Sequence, residues 1–142
     1  MEGPQEQIRR IAERYDLRDV YVFGSRAAEI AGRVLGGLVD APPSAADLDI
    51  AVQPPRGQSV SARDRVRLVA AFEDLFGAPR VDLVILSEAS AFMAVEVIRG
   101  ELLFTADPLA QAEQELFVLR RAADLAPFRH ERVRAILQEG AR

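Results

Sequence analysis

The sequence contains no cysteine, no lysine and a single histidine, His130. The absence of cysteine excludes disulfides, cysteine-ligated zinc and thiol catalysis, and accords with a reducing compartment. The absence of lysine makes all 18 basic residues arginine, which excludes Schiff-base, Walker-type and ligase-type lysine chemistry. Any metal must then be held by oxygen ligands or by His130. No apolar run approaches the ~20 residues that span a bilayer, and Met1-Glu2-Gly3-Pro4-Gln5 has neither the positive start nor the apolar stretch of a signal peptide. A soluble, cytoplasmic protein with no membrane partner is expected. The net charge of −4 and the lack of a basic run argue against general nucleic-acid binding, whose affinity rests largely on phosphate neutralisation.

What is present is one domain's worth of chain: 142 residues, 49% of them hydrophobic, enough for a single core. Ile8, Ile11, Ala12 and Tyr15 recur at helical spacing opposite Arg9, Arg10, Glu13 and Arg14, which predicts an amphipathic opening helix. Val20-Tyr21-Val22-Phe23 is β-branched and aromatic and stops at Gly24, as a buried strand does. Residues 26–39 are compatible with a helix weakened by Gly32, Gly36 and Gly37 and stopped by Pro42-Pro43.

Asp47 to Val52 alternates acidic and apolar residues and predicts a second strand. A helical stripe of Leu68, Phe72, Leu75 and Phe76 then ends at Gly77, and Val81 to Leu86 forms a third strand. A helix over 89–99, a short strand over 101–105 and a helix over 108–125 follow, and Pro127 is expected to open a last helix. The pattern is that of a mixed α/β domain: a small sheet flanked by helices, with a helical C-terminal third. A single domain over 1–142 is expected, its core at about 8–105 and its C-terminal helices at about 108–139.

Chemistry concentrates in one constellation: Gly24-Ser25 at the end of the first strand, Asp47 and Asp49 on the second, and Asp82 at the start of the third. Residues two apart in a strand share a face, so the Asp47 and Asp49 carboxylates lie side by side, an arrangement best tolerated around a divalent cation. Mg²⁺ is characteristically held by one or two carboxylates together with substrate phosphates, and two such ions can share a carboxylate during an in-line displacement. Gly24 leaves the backbone open to a phosphate, and the Ser25 hydroxyl and the following N–H groups can donate to phosphate oxygens. Asp82 is placed to complete a metal site or to take a proton from an attacking hydroxyl. Arg26, next to the turn, offers a guanidinium to a phosphate oxygen or to a surface salt bridge. Arg56, Arg63, Arg65 and His130 read as solvated residues of helices and loops, and Tyr15 and Tyr21 as structural.

Taken in order, Val20-Tyr21-Val22-Phe23-Gly24-Ser25-Arg26, Asp47-Leu48-Asp49-Ile50-Ala51-Val52 and Val81-Asp82-Leu83-Val84-Ile85-Leu86 resemble the minimal nucleotidyltransferases of the DNA polymerase β superfamily. The resemblance covers residues 8 to 105. It implies that Gly24 and Ser25 bind the triphosphate of ATP and that Asp47 and Asp49 bind two Mg²⁺ ions, with Asp82 completing the site. The stretch from Arg26 to Ala46 is longer than the family's usual spacing, and residues 30–45 are expected to form an extended loop or extra helical turn beside the site.

Proteins of this small type are similar to the antitoxins of HEPN/MNT toxin–antitoxin pairs. That similarity implies transfer of AMP from ATP to a tyrosine of a HEPN-type toxin partner. Two other readings stand beside it: a non-catalytic antitoxin acting by contact alone, and nucleotidyl transfer to a small-molecule hydroxyl such as that of an aminoglycoside. The apolar stripe from Leu109 to Ala123, continued by Phe128, Val133, Ile136 and Leu137, either packs on the sheet or binds a partner, and it permits a homo-oligomer.

Overall fold

The computed structural model describes residues 2–36 and 47–140. Four strands, β1 (Asp19–Phe23), β2 (Leu48–Gln53), β3 (Val81–Ile85) and β4 (Glu101–Thr105), form one sheet in the order β3-β2-β1-β4. β1 runs antiparallel to both its neighbours, β2 and β4, while β2 and β3 are parallel. The helices are α1 (Pro4–Arg14), α2 (Ala27–Leu35), α3 (Ala62–Phe76), α4 (Ala91–Arg99) and α5 (Pro108–Gly140). This is the mixed α/β arrangement that the sequence predicts.

Strand alternation sorts the core into two layers. Val20, Val22, Leu48, Ile50 and Val52 point to one face, against Ile8 and Ala12 of α1, Ile30 and Val34 of α2, and Leu68, Phe72 and Phe76 of α3. Tyr21, Phe23 and Ala51 point to the other, against Ala94 and Val97 of α4 and Val118 of α5. All five residues of β1 are buried, as befits a central strand covered on both sides. The covering helices are fixed at their starts: Ser61 Oγ accepts the Asp64 N–H at 3.1 Å, and Ser90 Oγ accepts the Met93 N–H at 3.1 Å. Each satisfies one of the donors a helix N-terminus leaves unpaired.

Two expectations are modified. α2 ends at Leu35, and the rest of the long 26–46 stretch, from residue 37, lies outside the described residues. Pro127 does not open a separate helix, because α5 runs through it as one element of 33 residues. Proline has a helical φ; it lacks the N–H that would bond to the Ala123 carbonyl, and its ring crowds that carbonyl, so a helix continues past it at a cost of about 3 kcal/mol. Among the described residues no helix is long and apolar enough to cross a membrane.

Candidate active site

Strand register brings the acidic residues together. Phe23, the last residue of β1, lies opposite Asp49 of β2, and Asp49 lies beside Asp82 of β3. Neighbouring strands are about 4.8 Å apart. Asp49 and Asp82 have the parity of Ala51 and Val84, which face the layer of α4 and α5, so their side chains leave the sheet on that same side. Asp47 precedes β2 by one residue, and its carboxylate is 50% exposed against 43% for Asp82.

The chain leaves β1 through a tight 3-10 turn, Gly24–Arg26, that leads straight into α2. Gly24 has φ +78°, in the left-handed region, and a Cβ built on it would collide with Asp49 Oδ2. Both constraints demand glycine, and together they show how closely the turn abuts the acid. Gly24 and Ser25 are exposed. Gly24→Ala is expected to lower nucleotide affinity at least 10-fold and to destabilise the fold by about 1–2 kcal/mol, since the alanine must strain its backbone and push Asp49 aside. Nucleotide titration and urea unfolding of that variant check both effects.

Burial raises the Asp49 carboxyl above the usual range, and the nearby Asp82 and Asp47 carboxylates push it in the same direction. Arg80 partly offsets this crowding: its Nε stands 3.2 Å from Asp82 Oδ1 and 4.0 Å from Asp47 Oδ2. Sequence reasoning missed Arg80: its position two residues before Asp82 signals only that one contact, and its reach to Asp47 comes from the pairing of β2 with β3. Among the described residues no cluster of three or more acidic, histidine or cysteine side chains is gathered as a ready-made metal cage. The donor set still fits Mg²⁺, because the carboxylates sit on adjacent strands, are mutually repelled and already attract a cation, Arg80. Mg²⁺ takes only one or two protein carboxylates and fills its remaining positions with phosphate oxygens and water.

Arg26 is placed differently from the other candidates. It is 4% exposed, with its Nε 3.2 Å from Glu29 Oε2, so a contact with phosphate would require it to leave that partner. Arg65 is paired with Glu88 at 2.8 and 3.0 Å, the salt bridge expected of a solvated arginine. Tyr21 is buried, donating to Glu115 Oε2 at 2.9 Å and accepting from Gln111 Nε2 at 2.8 Å, which bears out its structural reading. The side chain of His130 lies outside the described residues. At Gly100, between α4 and β4, a Cβ would sit 2.7 Å from that of Phe23. Its lack of a side chain lets β4 close against the end of β1 from which the turn departs.

An open groove of about 360 Å³ has Arg80 and Asp82 in its wall, with Arg65 and Val69 of α3 across from them. A larger cavity of about 450 Å³ lies at the opposite end of the sheet, against Arg18 and Gln53. Its polar wall is already engaged: Gln53 Oε1 accepts from the Ser87 N–H at 3.0 Å and from Gln114 Nε2 at 3.2 Å, and Arg18 is held by Asp19. The carboxylates, rather than this larger cavity, form the candidate site.

The polymerase β nucleotidyltransferase family model matches residues 6–109. The chain belongs to that family. No curated protein matches the sequence. Among solved structures, a chain of a mutant MntA-HpeT toxin–antitoxin matches this nucleotidyltransferase with a TM-score of 0.65 at 20% identity, covering 97% of this chain and 98% of that one. A chain of a toxin–antitoxin crystal structure with AMP-PNP matches with a TM-score of 0.62 at 21% identity and the same coverage. A chain of the tri-AMPylated Shewanella oneidensis HEPN toxin in complex with MNT antitoxin gives 0.62 and 21%, covering 98% of this chain and 97% of that one. At these identities the likeness is one of fold, and it extends over 97–98% of this nucleotidyltransferase.

Proposed function

We propose that the chain is a Mg²⁺-dependent adenylyltransferase that moves AMP from ATP to a tyrosine hydroxyl of a HEPN-type toxin and so acts as its antitoxin. The observation that carries this reading is the alignment of Phe23, Asp49 and Asp82 across three strands, which sets the Gly24-Ser25 turn against the acids. The solved complexes of similar fold, one of them of a tri-AMPylated HEPN toxin with an MNT antitoxin, support the choice of acceptor. The AMP-PNP complex supports an adenine nucleotide as donor.

Gly24 and the N–H groups of the turn and of α2 receive the β- and γ-phosphates, and the Ser25 hydroxyl donates to one of their oxygens. Asp47, Asp49 and Asp82 would hold Mg²⁺, which when bound neutralises phosphate charge and orients the α-phosphorus for in-line attack. The acceptor oxygen forms a bond to that phosphorus as the bond to the pyrophosphate oxygen breaks. Asp82, half-buried beside Asp49 in the sheet, takes the acceptor's proton. The products are the AMP ester of the acceptor and pyrophosphate. Alignment and electrostatic stabilisation supply most of the acceleration.

Incubation with Mg²⁺, α-labelled ATP and a cognate HEPN protein, followed by mass analysis of both chains, tests the reading. The expected result is AMP on a tyrosine of the partner. A tight complex that neutralises the partner without label would replace transfer by contact, and label on a small hydroxyl compound alone would replace the protein acceptor.

A further inference from the structure

Helix α5 is 33 residues long, about 50 Å at 1.5 Å per residue, and only its first half is supported. There it buries Gln111 and Val118, and its main helical neighbour is α4. From residue 127 to 138 every side chain described is exposed. A different face of the same helix is apolar but for His130. Positions 109, 112, 116, 119, 123, 126, 130, 133 and 137 step by alternating threes and fours, and they hold four leucines, three alanines, one valine and His130. That is the seam of a coiled coil. Leu109, Leu116, Leu119, Val133 and Leu137 of this seam are 70, 53, 50, 48 and 68% exposed.

We propose that the seam is a homodimer surface, on which α5 of a second copy of this chain lies antiparallel. The three-four spacing identifies the occupant as a helix, and the helix's own sequence identifies it as a second copy. With the two-fold axis at residue 121, Leu116 meets the second copy's Ala126 and Leu119 meets its Ala123, so a large residue faces a small one in each layer. Leu109 meets Val133 at the ends. A parallel pair would instead set Ala123 on Ala123 and Ala126 on Ala126 and leave a gap beside crowded leucines. Charge agrees with size: Glu113, flanking the seam in the first half, comes opposite Arg134 of the second copy, and the symmetry makes this pair twice. The arrangement also supports the overhanging half of α5. A helical stretch of that length is marginal alone in water; paired, it rests on the part of the second copy's α5 that α4 holds in place.

This surface involves none of the residues assigned to transfer, so it stands or falls apart from the proposed activity. Sedimentation equilibrium of the full chain over about 1–100 µM tests it, together with urea unfolding at two protein concentrations. The expected result is a dimer whose unfolding midpoint rises with concentration. Leu116→Glu with Leu119→Glu should raise the dimer dissociation constant at least 100-fold. Glu113→Arg should raise it about 10-fold, and Glu113→Arg with Arg134→Glu should restore it, a change of about 1.4 kcal/mol in each direction. Because all four positions are exposed, circular dichroism of the variants should match the parent.

A chain that stays monomeric over the whole range overturns the proposal, as does a dimer indifferent to the leucine changes. Failure of the charge exchange to restore pairing overturns the antiparallel arrangement. A monomer whose leucine variants lose binding to a HEPN protein assigns the seam to that partner and overturns self-pairing.

Discussion

Asp49→Asn should lower nucleotide transfer by roughly 10³-fold, about 4 kcal/mol of transition-state stabilisation, and yet leave the metal-free protein more stable than its parent. The two effects have one cause. Asp49 lies between Phe23 and Asp82 in the sheet, beneath Gly24, where burial and the carboxylates of Asp82 and Asp47 disfavour its charged form. Its folded-state carboxyl therefore titrates above the unfolded value, so the proton it binds favours folding below the unfolded pKa, and that advantage is lost as pH rises through the folded one. At neutral pH the charge opposes folding, and asparagine removes it at nearly the same size. The melting temperature of the metal-free variant should exceed that of the parent by about 1–3 °C near pH 7, and the difference should disappear toward pH 3.

Mg²⁺ with ATP should reverse the order, stabilising the parent by mass action and the variant little. Differential scanning fluorimetry across pH, with and without Mg²⁺-ATP, measures all of this beside the transfer assay. An Asn variant that melts below its parent at neutral pH, or one that keeps transferring nucleotide, would remove Asp49 from the centre of the site.

Most of the candidate site can be read in the sequence, because its signals are local. The strand Val20–Phe23 ends at a glycine, and the acidic residues alternate with apolar ones, which betrays both their strand and their shared face. What stayed hidden depends on partners distant in sequence. Arg80 reads as one more charged residue until parallel pairing with β2 sets it beside Asp47 as well as Asp82. Gly100 reads as a stop until β4 lies against β1. Arg26, beside the turn, offers its guanidinium to a phosphate or to a salt bridge, and which carboxylate it meets is set by helix α2, which brings Glu29 three residues on within reach. Pro127 reads as the start of a new helix by its usual effect, which backbone geometry permits but does not compel. No periodicity signals Asp19, because its role is defined by three elements at once.

Asp19→Ala should be the most destabilising single change at the end of the sheet away from the acids, costing about 3–5 kcal/mol. The Asp19 side chain is completely buried, and each of its oxygens is engaged. Arg18 donates to Oδ2 from Nε at 2.9 Å and from Nη2 at 2.7 Å, while Thr105 Oγ1 donates to Oδ1 at 2.8 Å. Arg18 also reaches Gln114 of α5, so one carboxylate joins the start of β1, the end of β4 and the last helix. Truncation leaves the Arg18 guanidinium, 11% exposed, without its counter-charge in a place water reaches poorly.

The pair between Arg65 and Glu88 has similar distances, 2.8 and 3.0 Å, but its side chains are 41 and 50% exposed, and Glu88→Ala should cost less than about 1 kcal/mol. Urea unfolding of the two variants side by side isolates burial as the variable, and equal costs would contradict the account given for Asp19. Transfer activity per folded molecule should be unchanged in Asp19→Ala at a temperature where it remains folded, because Asp19 pairs with Gln53 and Thr105, at the opposite end of β1 from Phe23 and Asp49. Stability and the proposed chemistry thus occupy opposite ends of one central strand: a carboxylate paired with Arg18 at the start of β1, and beyond its end a group of carboxylates that Arg80 offsets only in part.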